Sequence, residues 1–333
     1  MLYRLDSVPD ALLDLEARQL HGVLSGPTLI TLEGRNPEAL FASVLLHGNE
    51  TSGWEALRTI LHRYRDQTLP RSLVVFIGNI EAARHGLRRL DAQPDYNRIW
   101  QGGGAPEHAM ASTILEAMRG RALFASVDIH NTSGPNPHYA AVTNLRPPTL
   151  HLATLFSRTV VYFTRPDTVQ CRAFAELCPA VTVECGQPGP ARGVEHAAEH
   201  LDACLHLSHL PAHAVPMHDI DLFHTVAIVK VPQDVAMATD GGSGDIRFVG
   251  DLDQLNFREL PPGTTFARVS PGCEMPLEAR DENGVDVTHS YFAVQDGEVR
   301  TTATVIPAML SLDTRIIRQD CLCYLMERYP YEP

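Results

Sequence analysis

The stretch LLHGNETSGWEAL, residues 45–57, decides how the rest of the chain is read. An apolar run, FASVLL, stops abruptly at His47, Gly48, Asn49 and Glu50, and helical spacing begins directly after. A buried strand that ends on an imidazole and a carboxylate is either a capped turn or half of a metal site. Ser52-Gly53-Trp54-Glu55 has the form of a capping box, with Ser52 as N-cap and Glu55 at the third helical position. That gives Ser52 and Glu55 a structural task and leaves Glu50 without one. The pattern His-x-x-Glu is short enough to arise by chance, and it occurs again at His196 and Glu199.

Outward from this stretch, the chain alternates strand and helix. Strands are expected at residues 28–32, 41–46, 72–77, 125–129, 160–163 and 180–183. Several are near-continuous in Val, Ile and Leu, as strands covered on both faces are. Amphipathic helices are expected at 54–65, 107–119 and 192–207, and the N-terminal twenty residues also interleave charged and apolar residues as a helix does. This predicts an α/β fold, a mostly parallel or mixed central sheet with flanking helices. From about Pro211 short extended runs alternate with Pro and Gly turns. The expected division is therefore 1–210, carrying the site, and 211–333, a smaller, mainly β domain.

At 333 residues, 44% apolar and 20% charged, the chain has the composition of a globular protein, and no apolar run reaches the ~18 residues of a membrane span. A formal charge of −13 argues against nucleic acid as a partner, because phosphate needs a basic surface. It also means that an anionic substrate must be met by local arginines. Seven cysteines with no CxxC pair read as reduced thiols, and the N-terminus lacks the pattern of a secretion signal, so a cytoplasmic location is expected.

Four polar clusters fall where strands end. FASVLL leads to His47 and Glu50, LVVFI to Gly78-Asn79, ASVDI to His130-Asn131-Thr132, and AVTV to Glu184-Cys185-Gly186. Ligands of open α/β sheets bind outside the carboxyl ends of the strands. One such cluster alone reads as a polar cap; four at one edge suggest a site. His47, Glu50 and His130 make a two-histidine, one-glutamate set suited to one catalytic Zn2+ per chain with an open position for water. Glu184 suits a general base that carries the water's proton to a leaving nitrogen.

HGNE, a strand-end DIHNT and a strand-end VECGQPG, with Arg88-Arg89-Leu90 followed by Asp95-Tyr96-Asn97-Arg98, resemble the succinylglutamate desuccinylase/aspartoacylase family of the zinc carboxypeptidase M14 type. The likeness runs over about residues 40–200. It implies zinc held by His47, Glu50 and His130, with Glu184 as catalytic carboxylate. Of the arginine pair, Arg89 is expected to face the polarised carbonyl, with Arg88 beside it on the substrate. Asn97 and Arg98 would grip substrate carboxylates, and Arg172 would add an acyl contact. Two positions depart from the family pattern: Tyr96 stands where Leu is usual and Trp100 where Phe is common, expected beside the substrate.

The implied activity is a zinc-dependent amidohydrolase cleaving the amide of a small N-acyl amino acid, with no nucleic-acid or membrane partner and a homo-oligomer admitted. The alternatives are a metallocarboxypeptidase acting on short peptides and a catalytically silent binding module of the same fold. The rival motif HAAEH, His196 to His200, matches an inverted zinc-protease pattern. On a helical wheel its His196, Glu199 and His200 fall opposite the apolar stripe, so a solvated face is expected there.

Overall fold

The computed structural model describes residues 1–239 and 241–331. It divides into two compact units, 1–131 with 138–222 and Tyr331, and 132–137 with 223–330. In chain order the first unit contains β1 (Tyr3–Leu5), β2 (Thr28–Leu32), β3 (Gly34–Val44), α1 (Ser52–Arg63), β4 (Leu69–Ile77), α2 (Ile80–His85) and α3 (Pro106–Arg119). It continues with β5 (Leu123–His130), β6 (Tyr139–Val142), α4 (Pro147–Phe156), β7 (Thr159–Tyr162), α5 (Gln170–Phe174), β8 (Ala180–Glu184) and α6 (Ala191–His206).

These strands form one sheet in the order β1-β2-β4-β3-β5-β8-β6-β7. The central four, β4, β3, β5 and β8, are parallel, whereas β2 and β6 run against their neighbours β4 and β8. From β3 the chain passes through α1 to β4 on one side, then through α2 and α3 to β5 on the other. This reversal opens a crevice at the carboxyl end of β3, the place where such sheets bind ligands.

One face of the sheet packs Phe41, Phe76, Trp100, Met110, Ile114 and Phe174 together, with Phe41 stacked on Phe174 at 4.2 Å. A fully buried side chain of this size contributes about 1.5–3 kcal/mol. Tyr96 and Trp100 belong to this core, and the Trp100 indole donates to the Tyr96 carbonyl at 2.8 Å. The two departures from the family pattern are thus packing residues of this core.

Two local expectations are corrected. The N-terminal segment is not a helix. It gives β1, parallel to β2, and two short 3-10 turns at Asp10–Leu12 and Ala17–Gly22, with Pro9 at the start of the first. Leu12 and Leu20 still reach the core, so the amphipathic spacing was real while the helical period was not. The capping box is also absent. Thr51 is the N-cap and makes no side-chain cap bond, and Glu55 pairs with Arg58. Ser52 instead accepts at Oγ from Asn131 Nδ2 at 2.9 Å, while its N–H donates to Asn131 Oδ1 at 3.1 Å.

The second unit is mainly β. β9 (Asp221–Lys230) pairs antiparallel with β13 (Glu278–Asp281) and β17 (Cys323–Arg328), and β17 pairs with β16 (Ile306–Ala308). A second sheet has the order β10 (Met237–Ala238), β11 (Ile246–Phe248), β12 (Thr265–Val269), β15 (Glu298–Thr301), β14 (Phe292–Gln295). Phe248, Phe266, Phe292, Val229 and Leu325 form its core.

Candidate metal centre

The centre is built on three neighbouring strand ends. β3 leads into Leu45, whose φ of +56° lies in the left-handed region that a leucine rarely adopts. Its carbonyl is held by the Asn79 N–H at 2.6 Å. This turn places His47 and Glu50 over the crevice. Gly48 has to be glycine, because a Cβ there would lie 2.1 Å from the Ala83 nitrogen of α2. The Gly48 N–H donates to the Arg88 carbonyl at 3.0 Å, which brings the next loop to the site. β5 ends on His130, in register with Glu184 on the adjacent β8. Asn131 ties these ends together: its N–H donates to Glu50 at 3.2 Å and its amide to the Gly186 carbonyl at 2.7 Å.

Glu50 lies between the two imidazoles. His47 Nδ1 is 2.8 Å from Oε1 and His130 Nδ1 is 2.7 Å from Oε2. Among the described residues these three form a buried group whose ligand atoms lie within 4.8 Å of one another, able to hold a metal ion. Each histidine presents its other nitrogen to an aspartate: His47 Nε2 to Asp95 Oδ1 at 3.0 Å, and His130 Nε2 to Asp128 Oδ2 at 2.8 Å. A carboxylate on the outer nitrogen keeps the proton there and turns the inner lone pair toward a metal. The donor set therefore fits a divalent cation such as zinc.

Electrostatics agree with that fit. Burial and Arg88 oppose a second proton on His47, but Glu50 and Asp95 outweigh them and raise its pKa. Burial likewise opposes charge on His130, and Asp128 and Glu50 lift it well above the ordinary value. Burial works against an ionised Glu50, and His47 and His130 hold it below the usual carboxylate range all the same. Asp95 shows the same balance, with burial opposed by His47 and Arg88. These shifts describe buried carboxylates calling for positive charge. With the histidines neutral, Glu50, Asp95 and Asp128 gather around the two imidazoles with one guanidinium, on Glu50 and Asp95, a deficit that a dication would fill.

Glu184 differs from Glu50. Burial pushes its carboxyl up to about 7, against the pull of His130. Its Oε2 is buried with no hydrogen-bond partner, an oxygen left open beside the cluster.

The loop after α2 supplies the remaining groups. Arg88 is buried, with Nη2 on Asp95 Oδ2 at 3.0 Å and Nη1 3.4 Å from Glu50 Oε1. Arg89 is held elsewhere, donating to the carbonyls of Leu90 at 3.3 Å and Gln93 at 3.0 Å. Asn97 is buried at the cluster, its Nδ2 3.4 Å from His130 Nε2 and its Oδ1 accepting from the Gln170 N–H at 2.9 Å. Arg98 is half-buried and donates to the Asn97 carbonyl at 2.9 Å. Arg172, on α5, is half-buried and donates to the Thr143 carbonyl at 3.3 Å. Asn79, at the end of β4, caps α2 through the Ala82 N–H and bonds Gln93, so this strand-end cluster shapes the loop.

Sequence reasoning missed Asp95 and Asp128. Asp128 carried a signal, since residues two apart on a strand share a face and DIH therefore puts the carboxylate beside the histidine. Asp95 reaches His47 through an irregular loop and left no such periodicity.

Comparison with known proteins follows the same lines. Residues 39–202 match the family described as the succinylglutamate desuccinylase/aspartoacylase catalytic domain. The likeness to that family lies in this part of the chain. The succinylglutamate desuccinylase of Pseudomonas fluorescens is 44% identical over 79 residues, 21% of this chain. That alignment spans 23% of the relative's length. The crystal structure of the succinylglutamate desuccinylase from Chromobacterium violaceum superposes with a TM-score of 0.61 at 16% identity, covering 90% of this chain and 87% of that one. Murine aminoacylase 3 gives 0.56 at 16% identity, covering 89% and 96%. At such identities the likeness speaks for the fold, and a desuccinylase/aspartoacylase fold is what the sheet order and the second small sheet express.

Proposed function

We propose that this protein is a zinc-dependent amidohydrolase that cleaves the acyl–nitrogen bond of a small N-acyl amino acid. The observation that carries the reading is the His47–Glu50–His130 triangle, braced by aspartates, with the unpartnered oxygen of Glu184 beside it. A zinc ion held by His47 Nδ1, Glu50 and His130 Nδ1 would polarise the acyl carbonyl and acidify a water. Glu184 Oε2 would be the proton carrier between a water and the leaving nitrogen, a task suited to a carboxyl whose pKa lies near neutrality. Arg88 in this reading is the cation facing the carbonyl oxygen, where a guanidinium stabilises developing negative charge. Arg89, held on its own loop, is left to shape that loop. Asn97, Arg98 and Arg172 are offered as binding groups for substrate carboxylates, since guanidinium meets carboxylate with paired hydrogen bonds.

The test is amine release from a panel joining acetyl and succinyl groups to aspartate, glutamate and neutral amino acids, with and without chelator. Chelator-sensitive release from a member of the panel is expected. Turnover of dipeptides alone would favour a short-peptide carboxypeptidase. A zinc-loaded chain that turns over neither would favour a binding module.

A further inference from the structure

Behind His130 the sheet interior is polar where apolar residues are the rule. Ser43 on β3 and Asp128 on β5 are register partners, and both are 0% exposed. Ser43 Oγ donates to Asp128 Oδ1 at 2.7 Å, and Asp128 Oδ2 faces His130 Nε2 at 2.8 Å. A hydroxyl and a carboxylate between parallel strands are costly to bury, and hydrogen-bond partners offset that cost.

We propose that Ser43 is a positioning residue for the His130 metal ligand, acting through Asp128; the inference rests on the metal reading above. An ionised carboxylate only accepts, and its two oxygens exchange roles by rotation. The Ser43 hydroxyl occupies Oδ1, which leaves Oδ2 for the His130 Nε2–H and keeps Nδ1 unprotonated toward Glu50. The other neighbour of Nε2, the Asn97 amide nitrogen at 3.4 Å, is itself a donor and cannot fix that tautomer. The opposite ligand is arranged in parallel. There Asp95 holds His47 and is itself braced by Arg88 at 3.0 Å and by the Asn97 N–H at 2.7 Å. One outer aspartate is thus braced by a cation and a backbone N–H, the other by a hydroxyl.

The experiment compares wild type, Ser43→Ala and the nearly isosteric Ser43→Cys. Zinc affinity is measured by competition with a chelator, and the imidazole N–H resonance of His130 is followed in the zinc-loaded proteins. Loss of a group holding a metal-bound histidine lowers metal affinity about 10–100-fold. For a brace one bond further out, roughly a 10-fold loss is expected in Ser43→Ala, with a smaller loss in Ser43→Cys, and the His130 resonance shifts in both. Folded variants that bind zinc within about twofold of wild type, with that resonance unmoved, would overturn the inference while leaving the metal reading standing. A wild-type chain that takes up no zinc would overturn both.

Discussion

The chain contains His-x-x-Glu twice, and the two copies have opposite surroundings. At the end of β3, His47 and Glu50 are joined by His130 from β5, and both outer imidazole nitrogens meet carboxylates. On α6, His196 and His200 pack around Phe156 instead. His196 stacks on that ring at 4.2 Å and bonds its carbonyl and His138, while His200 meets the ring edge-on at 5.4 Å. Glu199 is exposed. Burial is common to His130 and His200. What separates them is the second residue on each ring: carboxylates raise His130 well above its ordinary pKa, whereas burial, with His196 nearby, lowers His200 to about 3. A candidate metal site is therefore told apart by what stands behind the imidazoles rather than by their spacing.

The expectation of a solvated face on α6 needs correction at this point. Glu199 meets it, but His196 is half-buried and His200 is 2% exposed. The helical wheel ranked histidine as polar. A neutral imidazole beside Phe156 and Cys204 behaves instead as an aromatic core residue.

The largest effect belongs to the first copy. Glu184→Gln keeps the shape and removes the proposed base, so turnover should fall by about 10²–10⁴-fold while zinc content is retained. Steady-state kinetics beside metal analysis would check this, and near-normal turnover would remove Glu184 from the role. A smaller effect is expected at the second copy. Because the folded pKa of His200, about 3, lies below its ordinary value of 6.5, the unfolded chain takes up the proton first. The stability held by the neutral ring is full above about pH 6.5 and is lost as pH falls toward 3. His200→Leu abolishes this dependence, and denaturant unfolding should show it gaining about 2 kcal/mol on wild type between pH 7.5 and pH 5. An unchanged difference across that range would mean that His200 is not buried neutral. Smallest of all is Glu199→Ala, expected to change stability by no more than about 0.5 kcal/mol and zinc content not at all. A loss of zinc there would break the distinction between the two copies.

Much of the first unit was legible because its signals are local or periodic. Parallel strands such as β3 and β4 announce themselves as runs of apolar residues, and His47, Glu50, His130 and Glu184 stand where those runs stop. Groups placed by irregular backbone were not legible. Arg88 and Arg89 are adjacent, and only the loop pinned by Asn79, Gln93 and the Gly48 N–H decides that Arg88 reaches Glu50. Ser52 had the right identity for a cap, yet tertiary contact with Asn131 claimed its hydroxyl. The four-residue pattern could not show that a partner 79 residues away would outcompete the helix end. Asp95 and Ser43 belong to the same category, since each acts through a neighbour that the fold supplies.

The most direct measurement is metal content after dialysis against zinc, for wild type, His130→Ala and His196→Ala. About one zinc per chain is expected in wild type and in His196→Ala, and none held tightly in His130→Ala, because the remaining His47 and Glu50 leave the site short of a ligand. Equal zinc in all three proteins, or its loss only in His196→Ala, would contradict the placement of the metal at the carboxyl end of β3.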